Sequence, residues 1–136
     1  MKVKKGLLFI LMSFSSFLVV IIYMRNTNLG NSFFNLFVNI PHYDKIGHFT
    51  LMGILAFLAV ISITPLLPYS TSKSSLLVLV GVLFLIAIEE CSQIFVVTRT
   101  FSLADFFCDF LGVTNFGLMG YSLVAKGQQT KKLVRM

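Results

Sequence analysis

Acidic side chains are scarce in this chain. Among 136 residues there are five Asp and Glu against eleven Lys and Arg, and charged residues of both signs make up 12%. So little charge, with 57% hydrophobic residues and a mean hydropathy of +0.90, excludes a soluble globular domain, in which about 25% of residues are charged. Cysteine is also scarce. Cys91 and Cys108 form no CxxC pair, which argues against a zinc ribbon or redox dithiol and leaves them as small packing residues, with a disulfide or soft-metal ligand as the alternative. No small-residue cleavage site follows the first apolar run, which continues into Tyr23-Met24-Arg25-Asn26. That run is therefore expected to be retained as a span rather than removed as a signal peptide. No internal repeat or low-complexity tract is visible.

What is present is apolar sequence in membrane-sized lengths. Gly6–Met24, Ile46–Leu67, Leu76–Val97 and Phe101–Ala125 are each long enough to cross a hydrocarbon core of roughly 30 Å, which takes about 20 helical residues. The expected fold is all-α: residues 1–136 as one integral membrane domain, four transmembrane helices in an antiparallel bundle. Ser13, Ser15 and Ser16 are expected to let the first helix approach its neighbours closely. Between the first two spans, Phe33, Phe34, Phe37 and Ile40 recur at roughly helical spacing among Ser32, Asn35 and Asn39. The spacing predicts a short interfacial helix over 32–40, or a lid over a site, stopped at Pro41. His42 beside it is read as solvated.

The basic residues orient this scheme. Lys2, Lys4, Lys5, Lys73, Lys126, Lys131, Lys132 and Arg135 fall on one side, and Arg25, Lys45 and Arg99 on the other. By the positive-inside rule both termini are expected to be cytoplasmic. The basic excess then serves orientation and contact with anionic lipid, not nucleic acid.

The acids fall opposite those cytoplasmic charges, in the outer halves of the spans. Four of the five lie between Glu89 and Asp109, and the fifth opens the second span in Asp44-Lys45-Ile46-Gly47-His48. An ionisable group at membrane depth costs about 2.5–3.5 kcal/mol on insertion scales, so it marks a functional site by default. Asp44 and His48 share a helix face at i,i+4, as do Ser102, Asp105, Asp109 and Gly112 at steps of three and four. The three-residue turn Thr98-Arg99-Thr100 makes the third and fourth spans antiparallel neighbours, with Glu89 level with Asp109 and Gln93 level with Asp105. Two carboxylates about 6 Å apart repel by about 3 kcal/mol at an effective dielectric of about 20. Lys45 and Arg99 offset at most two of the five. The rest must be protonated, paired with a cation or solvated in a wet cleft.

Three chemistries fit such a cleft. Asp44, His48, Glu89 and Asp105 could hold a divalent metal facing a phosphate head group. Asp44, His48, Glu89, Asp105 and Asp109 could act as acid and base. The same acids could couple proton movement to transport. A purely structural polar network is the alternative to all three. Lys45, Gln93, Arg99 and Ser102 are the expected ligand contacts, Arg99 serving either to grip a phosphate or to anchor the interface. Glu90 lies about 100° around the helix from Glu89, so one of the two faces elsewhere.

Asp44-Lys45-x-x-His48, Glu89-x-x-x-Gln93 (or the register through Glu90), Arg99-Thr100-Phe101-Ser102 and Asp105-x-x-x-Asp109-x-x-Gly112 together resemble the VanZ-like family of small bacterial membrane proteins. Each piece is weak alone; their order and spacing carry the resemblance. Many members carry Asn where this chain has Asp109. The family takes its name from an accessory protein of teicoplanin resistance. The resemblance implies a multi-pass protein of the bacterial cytoplasmic membrane with a role in the cell envelope and in glycopeptide susceptibility, and supplies no reaction. The expectation is an outward-facing site that binds or processes a phosphate-bearing lipid or lipid-linked wall component. A non-enzymatic proton-coupled carrier or flippase and a structural assembly protein are the alternatives, and whether the chain is an enzyme stays open. Its small size also makes a homodimer plausible.

Overall fold

A computed structural model describes residues 5–27, 29–37, 39–97 and 102–134. Its helices are α1 (Lys5–Asn26), α2 (Asn31–Phe34), α3 (Tyr43–Ile63), α4 (Thr71–Ser92) and α5 (Leu103–Val134), with 3₁₀ turns at Thr64–Leu66 and Gln93–Phe95. Among the described residues, four segments are long and apolar enough to cross a membrane: Lys5–Asn26, Tyr43–Leu66, Thr71–Phe95 and Leu103–Thr130. Punctuation in the sequence sets their ends. Pro65 falls in the turn that closes α3, where its missing N–H cannot continue a ladder. Ser70 caps α4 by accepting a hydrogen bond from Lys73 N at 3.4 Å, relieving one of the free donors of the first turn.

Two boundaries differ from expectation. α5 runs to Val134 rather than ending near Ala125, because the Gln and Lys residues after Ala125 are good helix formers and no proline interrupts them. The segment over 32–40 is one helical turn, α2, followed by i→i+3 turns at Leu36, Phe37 and Ile40. Asn35 and Asn39 favour turns over helix interiors, so the aromatic spacing is realised by tight turns.

Contacts give each helix its direction. Ser62 Oγ donates to Leu7 O at 3.3 Å, and Arg25 meets Asp44 at the far end of the same pair, so α1 and α3 run in opposite senses. Thr71 bonds Gln128 while Gly117 lies against Leu79, so α4 and α5 are likewise opposed. α3 and α5 run side by side in the same sense, meeting at Lys45 and Asp105, at His48 and Asp109, and at Val60 and Gly120.

The core forms where these helices meet: Ala56 and Val60 of α3, Val78, Val82 and Ile86 of α4, and Val113 of α5. Without a hydrophobic drive between helices in lipid, close approach through small residues must supply the packing. A Cβ on Gly112 would stand 2.1 Å from the carbonyl oxygen of Phe49, and one on Gly53 2.7 Å from the Phe116 ring. α1 is attached differently from the sequence expectation. Ser13 and Ser16 are exposed and Ser15 is half-buried, while the buried residues of α1 are Leu11 and Leu18. Seven residues apart, those leucines fall on one face.

Candidate functional site

The site grows from the first two turns of α3. His42, at its N-cap, has φ 56° in the left-handed region, and is exposed as expected. Asp44 follows in the first turn, where a carboxylate meets the positive end of the helix dipole. Its Oδ1 takes a 2.8 Å ion pair from Arg25 Nη2. Arg25 Nη1 also donates to the Tyr43 hydroxyl at 3.4 Å, and the guanidinium lies 4.8 Å from the centre of the Phe34 ring. One arginine thus ties the end of α1 to α2 and to the start of α3.

One position on, Lys45 Nζ pairs with Asp105 Oδ1 at 3.2 Å. Ser102 sits where α5 begins, and its Oγ accepts from Asp105 N at 3.2 Å, an N-cap. That cap fixes the turn carrying Asp105, so Ser102 positions an acid; the expected ligand contact has this structural alternative.

A turn deeper is the most enclosed part. His48 Nδ1 lies 3.1 and 3.2 Å from the two oxygens of Asp109 and 3.8 Å from Glu90 Oε1. Glu90 and Asp109 are each 1% exposed. Gln93 Nε2 donates at 3.0 Å to both Glu89 Oε2 and Glu90 Oε1, holding the neighbouring carboxylates in place. Glu90 Oε2 is buried and has no hydrogen-bond partner among the described residues. A buried acceptor left this way is uncommon and calls for a cause.

Beside this cluster a cavity of about 450 Å³ opens between α1, the 33–40 segment and α3. Arg25, Asp44, His48 and Glu89 contribute its ionisable lining, and most of the remainder is apolar, reaching Leu18 and Met52. Phe33, Phe34 and Phe37 form part of its wall, packed edge to face with centroids 5.5 and 5.4 Å apart. These are the residues that the sequence suggested as a lid.

The expected site residues are therefore largely gathered, with different pairings. Asp44, His48, Asp105 and Asp109 share one end of the bundle, and the Asp105–Asp109–Gly112 face of α5 is its buried one. Asp44 and His48 do not pair with each other; Arg25 and Asp109 take those roles. Among the described residues, two trios have ligand atoms within 4.8 Å of one another: Asp44, His48, Asp105 and His48, Glu90, Asp109. Glu89 belongs to neither trio. Glu90, left open in the sequence, takes the buried position, while Glu89 is only half-buried and lines the cavity. Gln93 contacts these two glutamates. Arg99 lies outside the described residues, as does the Thr98–Thr100 turn. Cys91 and Cys108 are free thiols.

One participant was missed and one was left open. Arg25 read only as a charge ending the first span, although it is the basic residue closest in sequence before Asp44. Glu90, left open in the sequence, continues the structure's buried stripe of Val78, Val82 and Ile86 on α4 at steps of four. Compared with known proteins, the chain matches no family model, no curated protein and no solved structure.

Proposed function

We propose that this chain is a VanZ-like protein of the bacterial cell envelope that holds a phosphate-bearing lipid, or a lipid-linked wall component, in the cavity between α1, the 33–40 segment and α3. One observation carries the reading: the cavity is apolar over most of its lining, with Arg25, Asp44, His48 and Glu89 set along it. A pocket of about 450 Å³ is within the usual range of roughly 300–1,000 Å³ for small-ligand sites. Its combination of surfaces suits an amphiphile, with hydrocarbon against Leu18 and Met52 and a polar head near Arg25. A guanidinium recognises phosphate through paired donors, so Arg25 would exchange part of its Asp44 contact for the head group. In this reading the acid-bearing end faces outward and both termini are cytoplasmic, following the distribution of Lys and Arg.

Native mass spectrometry from mild detergent tests the proposal. A retained phospholipid or polyprenyl phosphate is expected in wild type and reduced in Arg25→Gln. Protein that emerges without lipid, or retains it equally in the variant, would sink the reading. The buried His48–Asp109 contact favours one second reading, a proton-coupled carrier, since protonatable groups at membrane depth serve as relays. Acid-dependent lipid movement in liposomes, abolished by Asp109→Asn, is its signature; movement independent of pH removes it.

A further inference from the structure

We infer that His48, Glu90 and Asp109 form a binding site for one divalent transition-metal ion, Zn²⁺ being the best-fitting probe. The inference does not rest on the lipid proposed above. It begins with spacing. Two nitrogen or oxygen ligands bound tetrahedrally to one zinc at about 2.0–2.2 Å stand about 3.4 Å from each other. His48 Nδ1 lies 3.1 Å from Asp109 and 3.8 Å from Glu90, on either side of that value. Side-chain adjustments of a few tenths of an ångström would bring both pairs to it.

Charge selects this trio over the other. In the group Asp44, His48 and Asp105, each carboxylate already has a cation, Arg25 at 2.8 Å and Lys45 at 3.2 Å. In the group His48, Glu90 and Asp109 the shared imidazole is the only ion-pair partner of either carboxylate among the described residues. Two buried carboxylates with one imidazole leave uncompensated charge, which is expensive in a low-dielectric interior. A divalent cation balances both carboxylates while the imidazole stays neutral.

A separate observation points to a ligand here. Glu90 is 1% exposed, yet its Oε2 has no hydrogen-bond partner among the described residues. Oε1, the oxygen 3.8 Å from His48 Nδ1, is already held by Gln93 at 3.0 Å, so the same carboxylate keeps lone pairs on Oε2 that only a further ligand would use. Outer hydrogen bonds of this kind orient metal-binding carboxylates. One imidazole with two carboxylates is a mixed nitrogen and oxygen set, which suits Zn²⁺ better than Mg²⁺ or Ca²⁺. For Nδ1 to bind, its proton must go to solvent and the ring must carry hydrogen on Nε2.

The test uses tag-free full-length protein in detergent, stripped with a chelator and titrated with Zn²⁺ alone by calorimetry, with bound metal counted after gel filtration. One ion per chain is expected, at least tenfold weaker in Glu90→Gln and in Asp109→Asn. It should be essentially unchanged in Asp105→Asn, which disables the other trio. Gln93→Ala keeps every ligand and is expected to bind about 10–100-fold more weakly, which keeps the test decisive should a ligand variant fail to fold. Absence of binding by wild type, binding undiminished by Glu90→Gln and Gln93→Ala, or equal loss in Asp105→Asn overturns the inference.

Discussion

Gly112→Ala is the sharpest probe of how the bundle holds its polar site. The added Cβ would stand 2.1 Å from Phe49 O and 2.9 Å from Phe49 C. These are backbone atoms, which cannot rotate out of the way as a side-chain end can. Ordinary contact begins near 3.4 Å, so α3 and α5 would have to separate locally by about 1.3 Å to relieve a contact of this kind. Phe49 adjoins His48, and Gly112 is one turn beyond Asp109. A displacement of that size takes the 3.1 Å His48–Asp109 contact past 4 Å, outside hydrogen-bonding range. Overpacking costs about 1–3 kcal/mol, and losing a hydrogen bond to a charged group adds about 1.5–3 kcal/mol. The expected loss is therefore about 3 kcal/mol or more. Thermal unfolding should be followed by circular dichroism, since the chain has no tryptophan. Gly81→Ala is the control: a Cβ there meets nothing within 4 Å, and helix propensity makes it neutral or stabilising by up to about 1 kcal/mol. If both variants melt together with wild type, the close α3–α5 contact does not set the site geometry.

Other perturbations separate the parts. Gly47 lines the cavity and a Cβ there meets nothing within 4 Å, so Gly47→Leu should fold normally while reducing co-purified lipid; undiminished lipid in mass spectra would count against the cavity as its site. In chelator-treated protein, Glu90→Gln should raise stability by about 1–3 kcal/mol, because a neutral amide replaces a carboxylate with an unpartnered oxygen; a lower melting temperature refutes this. His42→Gly should stabilise by about 1 kcal/mol, since glycine adopts the left-handed conformation without the Cβ penalty, and an unchanged or lower melting point argues against strain at α3's start. Lys45→Met removes the partner of the largely buried Asp105 and should lower the melting temperature in the same curves; an unchanged melting temperature would show that this ion pair contributes nothing.

Much of this was legible because the chain is so poor in acids. Against an apolar background, Asp44, Asp105 and Asp109 stand out, and the steps of three and four between Asp105, Asp109 and Gly112 identify the inward face of α5. Four long apolar runs fix the all-helical class. The hydrophobic pattern could not decide which residues of an almost wholly apolar helix face inward. Residues turned to lipid and residues turned to protein look alike in hydropathy, so Glu89 and Glu90 were not separable by it. For the same reason Ser13 and Ser16 suggested a packing face that α1 does not use. Partners distant in sequence were also hidden: that Arg25 rather than His48 takes Asp44 depends on how far α1 extends before the chain turns back.

The pairing of α3 with α5 has a mechanical consequence. Lys45–Asp105 and His48–Asp109 are rungs on successive turns of two parallel rails, and the Gly112 contact pins the rails together. Rolling either helix by a single residue would swing its side chains by about 100° and undo both rungs at once. Those two helices therefore behave as a rigid mast. α1 is the lightly moored member, with 11% of its apolar window buried against 33% for each of the other three spans. The cavity consequently lies between one wall tied by two polar rungs and one wall with little buried surface, and the Arg25–Asp44 clasp joins the two.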